Sequence, residues 1–443
     1  MNKPKHMVLG AYISYGTGHH PAAWRDARVA ADGAQNIDRY VEFAQEAEKG
    51  LFDFIFLSDT PSVFRDDLNG YGSRVVVFEP LTLLSSLAMV TTNIGLVATA
   101  STTYKPPYDI AREFASLDLI SKGRAAWNLV TSSKSDAAFN YGLEQHPEHA
   151  IRYQKAAEAF KVITGLWDSW DDDAFLRDKS SGIFFNKNGM HELKHEGEFF
   201  SVRGPLNISR PPQGYPIIVQ AGSSEAGMDL AAKTAEVVFT AQTDMSLAQD
   251  FYSRLKNRLA NVDRLNKDVL IMPGICPFTA KTESEAKEKF DQFQELIHPK
   301  FGLSMLSDLL GGIDLSGFSL NEPLPSLPES NGNTSRQKLI ERFNKNGPLT
   351  LEQLYKKVII SRAHFNIIGS YKQVAEEMMS WFQSQACDGF NVMPPSMLGC
   401  LSDFVSGVIP ELQKMGVYKN EYKKGTLRNK LGLKRPNSSY INV

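Results

Sequence analysis

Two neighbouring serines, Ser223 and Ser224, lie where the sequence passes from a strongly apolar run into a helix-forming stretch. The run, residues 217–220, has the character of a strand buried on both faces, and residues 225–235 follow with helical spacing. Hydroxyls and backbone N–H groups at the start of a helix favour an anion such as a phosphate. A serine there can also cap the helix, and taken alone the pattern favours that simpler interpretation.

The same alternation of apolar runs and amphipathic helical segments recurs along the chain and predicts the elements that hold these serines. The predicted strands are 8–13, 53–57, 94–99, 125–130, 217–220, 237–241, 269–275 and 390–393. Eight such strands alternating with helices predict an α/β fold, a (β/α)8 TIM barrel in a single domain spanning 1–443. The alternative is an open doubly wound sheet, which would be smaller and carry a glycine-rich fingerprint near its start.

Polar residues collect at the carboxyl ends of these strands, which form the active face of such a barrel. They are His19, His20, Asp59, Thr99–Thr103, Asn128–Ser133, Ser223 and Ser224. Because five separate strands end in this way, phosphate binding now outweighs simple capping at Ser224. His149 and Tyr153 are four residues apart on one face of the predicted helix 151–167, where a cap plus a core tyrosine fits as well as a ligand contact.

Three segments depart from the repeat. Residues 171–210 alternate glycine and aromatic residues, which predicts a hairpin insertion. Residues 299–350 are rich in Gly, Ser, Pro and Asn, and their place after a barrel strand favours a lid over a disordered segment. The C-terminal arm, 416–443, mixes basic residues with leucines, which favours docking on a partner subunit over binding nucleic acid.

The composition narrows the class of protein. The chain has 443 residues, of which 42% are hydrophobic, and its net charge of −2 creates no overall field for nucleic acid or anionic lipid. No stretch approaches the roughly 20 apolar residues of a membrane span, and the first residues lack a signal-peptide cleavage site. Three scattered cysteines suit a reducing compartment. We expect a cytoplasmic protein with no nucleic-acid or membrane partner.

The segment 191–195 matches the H-E-x-x-H pattern of zinc proteases, a chemistry that requires a helix. Gly189 and Gly197 flank the segment, and the residues after it alternate like a strand. On a strand the two imidazoles would lie about 13 Å apart. We interpret the match as a coincidence and expect no metal site, although a metallohydrolase built on His191 and His195 is the alternative.

Longer motifs resemble a known family, and together they cover nearly the whole chain in family order. They are HHPAAWR at 19–25, DFIFLSD at 53–59, ATASTTYKPPYDIAREFASLDLISKGRAAWNLVTS at 98–132, HAIRYQKAAEAF at 149–160 and HEGEFFSVRGPLNISRPPQGYPIIVQAGSSEAG at 195–227. The sequence resembles the flavin-dependent monooxygenases of the bacterial-luciferase superfamily, in the branch of nitrilotriacetate monooxygenase component A and dibenzothiophene-sulfone monooxygenase. It departs from that pattern at Gly369-Ser370-Tyr371, where Gly-Thr-Pro is usual.

The resemblance implies a two-component enzyme. Reduced FMN would arrive as a cosubstrate from a separate NAD(P)H:flavin reductase and react with O2, and the barrels would assemble as a homodimer or tetramer. A C4a-(hydro)peroxyflavin would oxygenate a carbon next to N or S, after which the C–N or C–S bond breaks. The implied flavin contacts are Asp59, Thr99, Asn128, His149, Tyr153, Ser223 and Ser224. Ser224 and Tyr153 would hold the phosphate.

Three further residues are predicted near the reacting atoms. His20 is the candidate to hydrogen-bond the peroxide or substrate, with a structural loop histidine as its alternative. Phe56 and Trp24 are candidates for the wall of the substrate pocket. The competing function is a non-catalytic flavin- or phosphate-binding barrel. His20 and the lid favour the enzyme, and the sequence does not identify the substrate.

Overall fold

The computed structural model describes most of the chain, namely residues 5–13, 16–63, 70–132, 134–310, 312–324, 347–360 and 364–440. The strands are β1 Val8–Ile13, β2 Phe54–Leu57, β3 Gly95–Ser101, β4 Ala125–Val130, β5 His195–Glu196, β6 Ser201–Val202, β7 Ile217–Ala221, β8 Val237–Thr240, β9 Leu270–Ala280, β10 Phe365–Ser370 and β11 Gly389–Val392. Within the described ranges, no helix is long and apolar enough to cross a bilayer.

Helices alternate with these strands. They are α1 Ile37–Lys49, α2 Pro80–Val90, α3 Pro107–Ile120, α4 Ala137–Asn140, α5 His149–Trp167, α6 Glu225–Thr234, α7 Met245–Ala260, α8 Glu283–Glu295, α9 Pro299–Leu309, α10 Leu351–Ile359, α11 Tyr371–Gln383, α12 Gly399–Asp403, α13 Ile409–Lys414 and α14 Leu427–Leu431. A π-helical turn, Phe404–Val408, joins α12 to α13. Side-chain caps fix several helix starts, as where Asn36 accepts the Asp38 N–H before α1.

Eight parallel strands close into a barrel in the order β1, β2, β3, β4, β7, β8, β9, β11, and β11 pairs with β1 to complete the circle. The closed barrel predicted from the sequence is confirmed, and the open sheet is ruled out. Every second residue points inward, and the pairing register places Phe56, Asn128, Phe239 and Asn391 in one inward layer from alternate strands.

Strand β10 was not predicted. β9 is longer than the barrel needs: residues 270–275 pair inside it, and residues 275–280 continue outward to pair with β10. β10 has the sequence FNIIGS, whose short apolar stretch is interrupted by Asn and Gly, so the pattern gives no strand signal.

The amino ends of the strands, which we call the base, are closed by residues 427–433. Leu427, Leu431 and Leu433 are at most 8% exposed and belong to the same apolar cluster as the barrel interior. The prediction that the C-terminal arm docks on a partner subunit is therefore wrong for these leucines. Burying each leucine under its own barrel removes its apolar surface from water, which stabilises the folded state by about 1.5–3 kcal/mol per side chain. Residues 441–443 of the arm lie outside the described residues.

The segment 171–210 contains short antiparallel pairings, between β5 and β6 and between Asp178 and Ile183, as a hairpin insertion requires. His195 lies on β5, so the H-E-x-x-H segment is not helical. The His191 ring contacts Asp171 at 2.9 Å, whereas the His195 ring contacts Glu158 at 3.0 Å. The two imidazoles therefore serve separate carboxylates.

Part of the predicted lid, residues 311 and 325–346, lies outside the described residues. The rest is ordered around α9, which packs against α10. These helices share an apolar cluster of their own that includes Phe301, Leu306 and Tyr355. Neither helix was predicted, because the Gly- and Pro-rich residues that follow α9 dominate the local composition.

Candidate functional site

The carboxyl ends of the strands form the end of the barrel that we call the mouth. One side of the mouth carries the predicted anion site. Ser224 caps α6, and its hydroxyl accepts the Gly227 N–H at 3.1 Å. A Cβ on Gly227 would lie only 3.3 Å from the Tyr153 hydroxyl oxygen, and one on Gly222 would lie 4.0 Å from it. The two glycines therefore keep open a cradle bounded by a hydroxyl and a helix N-terminus, which suits a phosphate.

Helix α5 supplies the other wall of this cradle. The rings of His149 and Tyr153 are 4.6 Å apart, on one face, as the four-residue spacing predicts. His149 is exposed at the first position of α5, and Ser223 is exposed beside Ser224. These residues thus surround one solvent-accessible position that an anion could occupy.

Thr99 and Asn128 lie deeper, inside the barrel. The Thr99 hydroxyl donates to the Leu57 carbonyl at 2.7 Å and accepts from the Asn128 amide nitrogen at 2.8 Å. The Asn128 amide oxygen is buried and takes no hydrogen bond from the residues that the structure describes. A buried acceptor without a donor is costly, so this oxygen fits a ligand that presents an N–H or O–H group to it.

Asp59 follows β2 at the same side of the mouth. Burial raises the pKa of its carboxyl to about 6, and the nearby Glu79 carboxylate adds to the rise, while the Thr60 N–H opposes it. The carboxyl therefore changes protonation close to neutral pH. Ser133, one of the polar residues predicted after the fourth strand, lies outside the described residues.

An aromatic cluster lines another part of the mouth, with rings contributed by β1, β2 and β8. The Phe56 ring meets the Tyr12 ring at 5.3 Å and the Phe239 ring at 5.6 Å, and Tyr12 lies 5.4 Å from Phe239. Phe56 is fully buried in the inward layer, so it forms the floor of the mouth and not an exposed wall. Trp24 is half-buried on the short turn Ala23–Arg25 that follows β1.

The two adjacent histidines after β1 have different surroundings. His19 is buried with its ring 6.1 Å from Tyr12 and 6.2 Å from His364. His20 packs against Phe293 at 5.1 Å, beside α8, and its Nδ1 accepts the Ala22 N–H at 3.2 Å. The His20 ring therefore packs beside α8, whereas the His19 ring lies near the rings of Tyr12 and His364.

His364 enters the mouth from the segment before β10. Its ring is parallel to that of Phe239, with centroids 5.1 Å apart and planes 3° apart. A Cβ on Gly274 would lie 2.5 Å from His364 Nδ1, so only glycine at this inward position of β9 admits the imidazole. Alternation along β1 and β8 marks Tyr12 and Phe239 as inward residues, but no pattern pointed to His364 because β10 was not predicted.

Helix α9 contacts two of the loops at the mouth. His298 stacks on Tyr71 with ring centroids 3.6 Å apart, and the Arg74 guanidinium lies 5.7 Å from the Phe301 ring centre. The Lys134 ammonium contacts the Asp308 carboxylate at 2.6 Å. These contacts tie α9 to the loops after β2 and β4.

The arrangement fits one elongated ligand. A phosphate would occupy the cradle at Ser224 and Tyr153, while a heterocycle with N–H groups would reach the Asn128 oxygen and lie over the Phe56 floor. FMN combines these features. Asp59 and Thr99 would lie along such a molecule, and the aromatic side would face whatever reacts with it.

Comparison with known proteins gives three findings. The family described as Luciferase-like monooxygenase matches residues 16–386. Over 441 residues and 99% of both chains, the sequence is 48% identical to N-acetyl-S-(2-succino)cysteine monooxygenase of Bacillus subtilis (strain 168), and it is 45% identical to nitrilotriacetate monooxygenase component A of Aminobacter aminovorans, again over 99% of both. The crystal structure of DmoA from Hyphomicrobium sulfonivorans is similar at a TM-score of 0.87 and 30% identity, covering 96% of this chain and 92% of that chain.

Proposed function

The chain belongs to the luciferase-like monooxygenase family, and from that premise we propose that it uses reduced FMN and O2 to oxygenate a small organic compound that contains nitrogen or sulfur. The resemblance seen in the sequence is thereby confirmed. The observation that carries the choice of FMN is an open phosphate cradle at Ser224 and Tyr153 combined with a buried Asn128 oxygen that accepts no hydrogen bond from the described residues.

Bound reduced flavin would supply the two electrons that split O2, so that one oxygen atom enters the substrate and the other leaves as water. We propose that the oxygen enters at the carbon next to nitrogen or sulfur, because the resulting hydroxylated carbon then releases the amine or thiol and leaves a carbonyl. The protein's part is to bind, orient and exclude water.

Each part of the site then has a task. Ser224, Tyr153, His149 and the start of α6 bind the phosphate, and Ser223 lines its entry. Asn128 and Thr99 hold the ring system over the Phe56 floor. Helix α9 serves as the lid, because its contacts to the loops after β2 and β4 would keep water from the reacting atoms.

The relatives' names suggest the partners and substrates. One relative is called component A, which supports a separate flavin reductase as the second component here. The relatives act on nitrilotriacetate and on N-acetyl-S-(2-succino)cysteine, so small amines and thioethers are the compounds to try first. We retain the prediction of a homodimer or tetramer.

The experiment combines two measurements. Anaerobic titration with reduced FMN and with reduced riboflavin tests the cradle, and we expect clearly tighter binding of FMN because riboflavin lacks the phosphate. The purified protein is then supplied with O2, NADH and an unrelated flavin reductase, and the release of amine or thiol from each compound is followed with catalase present.

Failure to bind reduced FMN would end the proposal. Binding of FMN without oxygenation of any compound, and with reduced flavin oxidised at the same rate as in free solution, would instead favour the non-catalytic flavin-binding barrel.

A further inference from the structure

The helix start that borders the phosphate cradle carries a negative charge. Glu225 is the first residue of α6, directly after Ser224, so it introduces a carboxylate beside the anion site. Resting on the proposed function, we propose that Arg254 and Arg258 are positioning residues for the cofactor phosphate. They neutralise Glu225 and hold its carboxylate away from the cradle, so that the site prefers a phosphorylated flavin.

An acid in the first turn of α6 has two opposite effects. It stabilises the helix, because the partial positive charge of a helix N-terminus attracts a carboxylate. A bound phosphate depends on the same partial charge, so a carboxylate without a counter-charge would compete with the ligand and repel it. The chain therefore needs a second feature that keeps the acid of the helix from weakening the anion site.

Both oxygens of the Glu225 carboxylate are bonded by arginines of α7. Arg254 Nη2 contacts one oxygen, and Arg258 Nη2 contacts the other. One cation is enough to neutralise a single carboxylate. The second contact also fixes the direction in which the carboxylate points, because rotation of the Glu225 side chain would break one of the two bonds.

The direction of these bonds is away from the cradle. Arg258 Nη1 donates to the Arg254 carbonyl at 3.1 Å, and Arg258 Nε contacts the Asp229 carboxylate at 2.9 Å. Asp229 is four residues after Glu225, so both acids share the face of α6 that is turned to α7. The other wall of the cradle is Tyr153, on α5. The arginines therefore draw the carboxylate to the side of α6 that the phosphate does not use.

The network is exposed, which separates its effect on the ligand from its effect on folding. The side chains of Glu225 and Arg254 are 65% and 44% exposed, and Arg254 also contacts the exposed Asp250 at 3.4 Å. Exposed ion pairs add little to the free energy of unfolding. Substitutions in the network should therefore leave a folded barrel in which the binding of the phosphate alone can be measured.

The test compares anaerobic isothermal titrations of the full-length protein with reduced FMN and with reduced riboflavin. At low ionic strength, the double variant Arg254→Gln, Arg258→Gln should bind FMN about three- to tenfold more weakly, because the freed Glu225 carboxylate repels the phosphate. Riboflavin has no phosphate, so its affinity should not change. The difference in FMN affinity should disappear at about 1 M salt, where the Debye length is about 3 Å.

Adding Glu225→Gln to the double variant should restore FMN affinity, since the repelling carboxylate is then absent. The control is the double variant Lys194→Gln, Arg203→Gln, which frees the Glu192 carboxylate from two cations on the insertion hairpin. The hairpin contacts α5 at Gly165, about 18 Å along the helix from the cradle. This control should bind both flavins as the unaltered protein does.

Three results would overturn the inference. They are unchanged FMN affinity in the arginine double variant, an equal loss of FMN and riboflavin affinity, and a loss of FMN affinity that Glu225→Gln does not restore. The last two would show that the arginines support the local structure and not the charge of the site. Failure of the unaltered protein to bind reduced FMN would instead count against the proposed function itself.

Discussion

The two ends of the barrel differ in how their space is filled and in how their buried polar groups are bonded. At the base, Leu427 and Leu433 fill the space between the strands, and Arg428 is bonded to Glu236 and to the carbonyl oxygens of Tyr215 and Lys434. At the mouth, glycines leave space open at 222 and 227, and the Asn128 oxygen has no described donor.

Because of this difference, we expect substitutions at the base to change stability and substitutions at the mouth to change ligand binding. Apart from the Arg428 Nε, which takes no partner among the described residues, the bonds of Arg428 at the base are made within the chain, so they contribute to the free energy of unfolding whether or not a ligand is present. Groups at the mouth await a ligand, so they should change binding far more than folding. Variants at the two ends can therefore be compared directly.

Arg428→Met should have the largest effect, and on stability. The guanidinium side chain is 1% exposed, and its removal leaves the Glu236 carboxylate, which is 16% exposed, without its cation. We expect the free energy of unfolding, measured in urea, to fall by about 3–5 kcal/mol. FMN affinity of the folded protein should not change. Arg435→Met is the matched control, because its pair with Asp172 is 40% and 49% exposed and is worth less than about 1 kcal/mol.

Asn128→Leu should show the reverse pattern. The variant removes an acceptor that only a ligand would satisfy, so FMN affinity should weaken by about 1.5–3 kcal/mol in binding free energy, measured by fluorescence titration. Unfolding stability should stay within about 1 kcal/mol of the original, because the loss of the amide hydrogen bond to Thr99 is offset by the removal of a buried oxygen that no described residue donates to. A large loss of stability with unchanged FMN affinity would contradict the division between the two ends.

Asp59→Asn should change how the free energy of unfolding depends on pH, through a group at the mouth. The pKa of Asp59 is raised from an ordinary 3.8 to about 6, so the folded state holds the proton more tightly than the unfolded state. The contribution of the protonated Asp59 carboxyl to the free energy of unfolding is fully present below about pH 4 and is lost as the pH rises through 6. Each pKa unit is worth about 1.4 kcal/mol, and partial exposure reduces the total to about 1–2 kcal/mol. In urea unfolding, the free energy of unfolding of the variant should therefore rise relative to that of the original protein between pH 4 and pH 7.

Ser224→Ala is expected to have the smallest effect on folding. Loss of the α6 cap should cost about 1 kcal/mol. Affinity should fall for FMN and not for riboflavin, which has no phosphate. Thr282→Ala removes the cap of α8 in the same way, so it should cost similar stability and leave both flavin affinities unchanged. Equal flavin effects from the two variants would show that Ser224 acts only as a cap.

Much of the fold could be predicted because a parallel barrel strand is buried on both faces and leaves an uninterrupted apolar run. The eight barrel strands follow from such runs, and β1 and β4 were predicted with the bounds that the structure gives. β10 and the pair α9 and α10 were missed, because their local sequences are broken by Gly, Asn or neighbouring Pro-rich stretches.

The candidate site was predictable where strand ends carry polar residues, and less so where contacts depend on tertiary packing. Thr99 and Asn128 are joined by a hydrogen bond, and Ser224 lies beside Tyr153. Two adjacent histidines, however, look alike in sequence, and only the fold separates His19 from His20. His364 reaches the mouth from outside the barrel repeat, so no strand periodicity could reveal it.

The closure of the base has a consequence for biosynthesis. Residues 427–433 follow all eight barrel strands in sequence, so every strand leaves the ribosome before the leucines that cover its amino end. During that interval the nascent barrel exposes an apolar opening, which is a surface that chaperones bind and that promotes aggregation. A stop codon placed just before Leu427 would make that temporary exposure permanent.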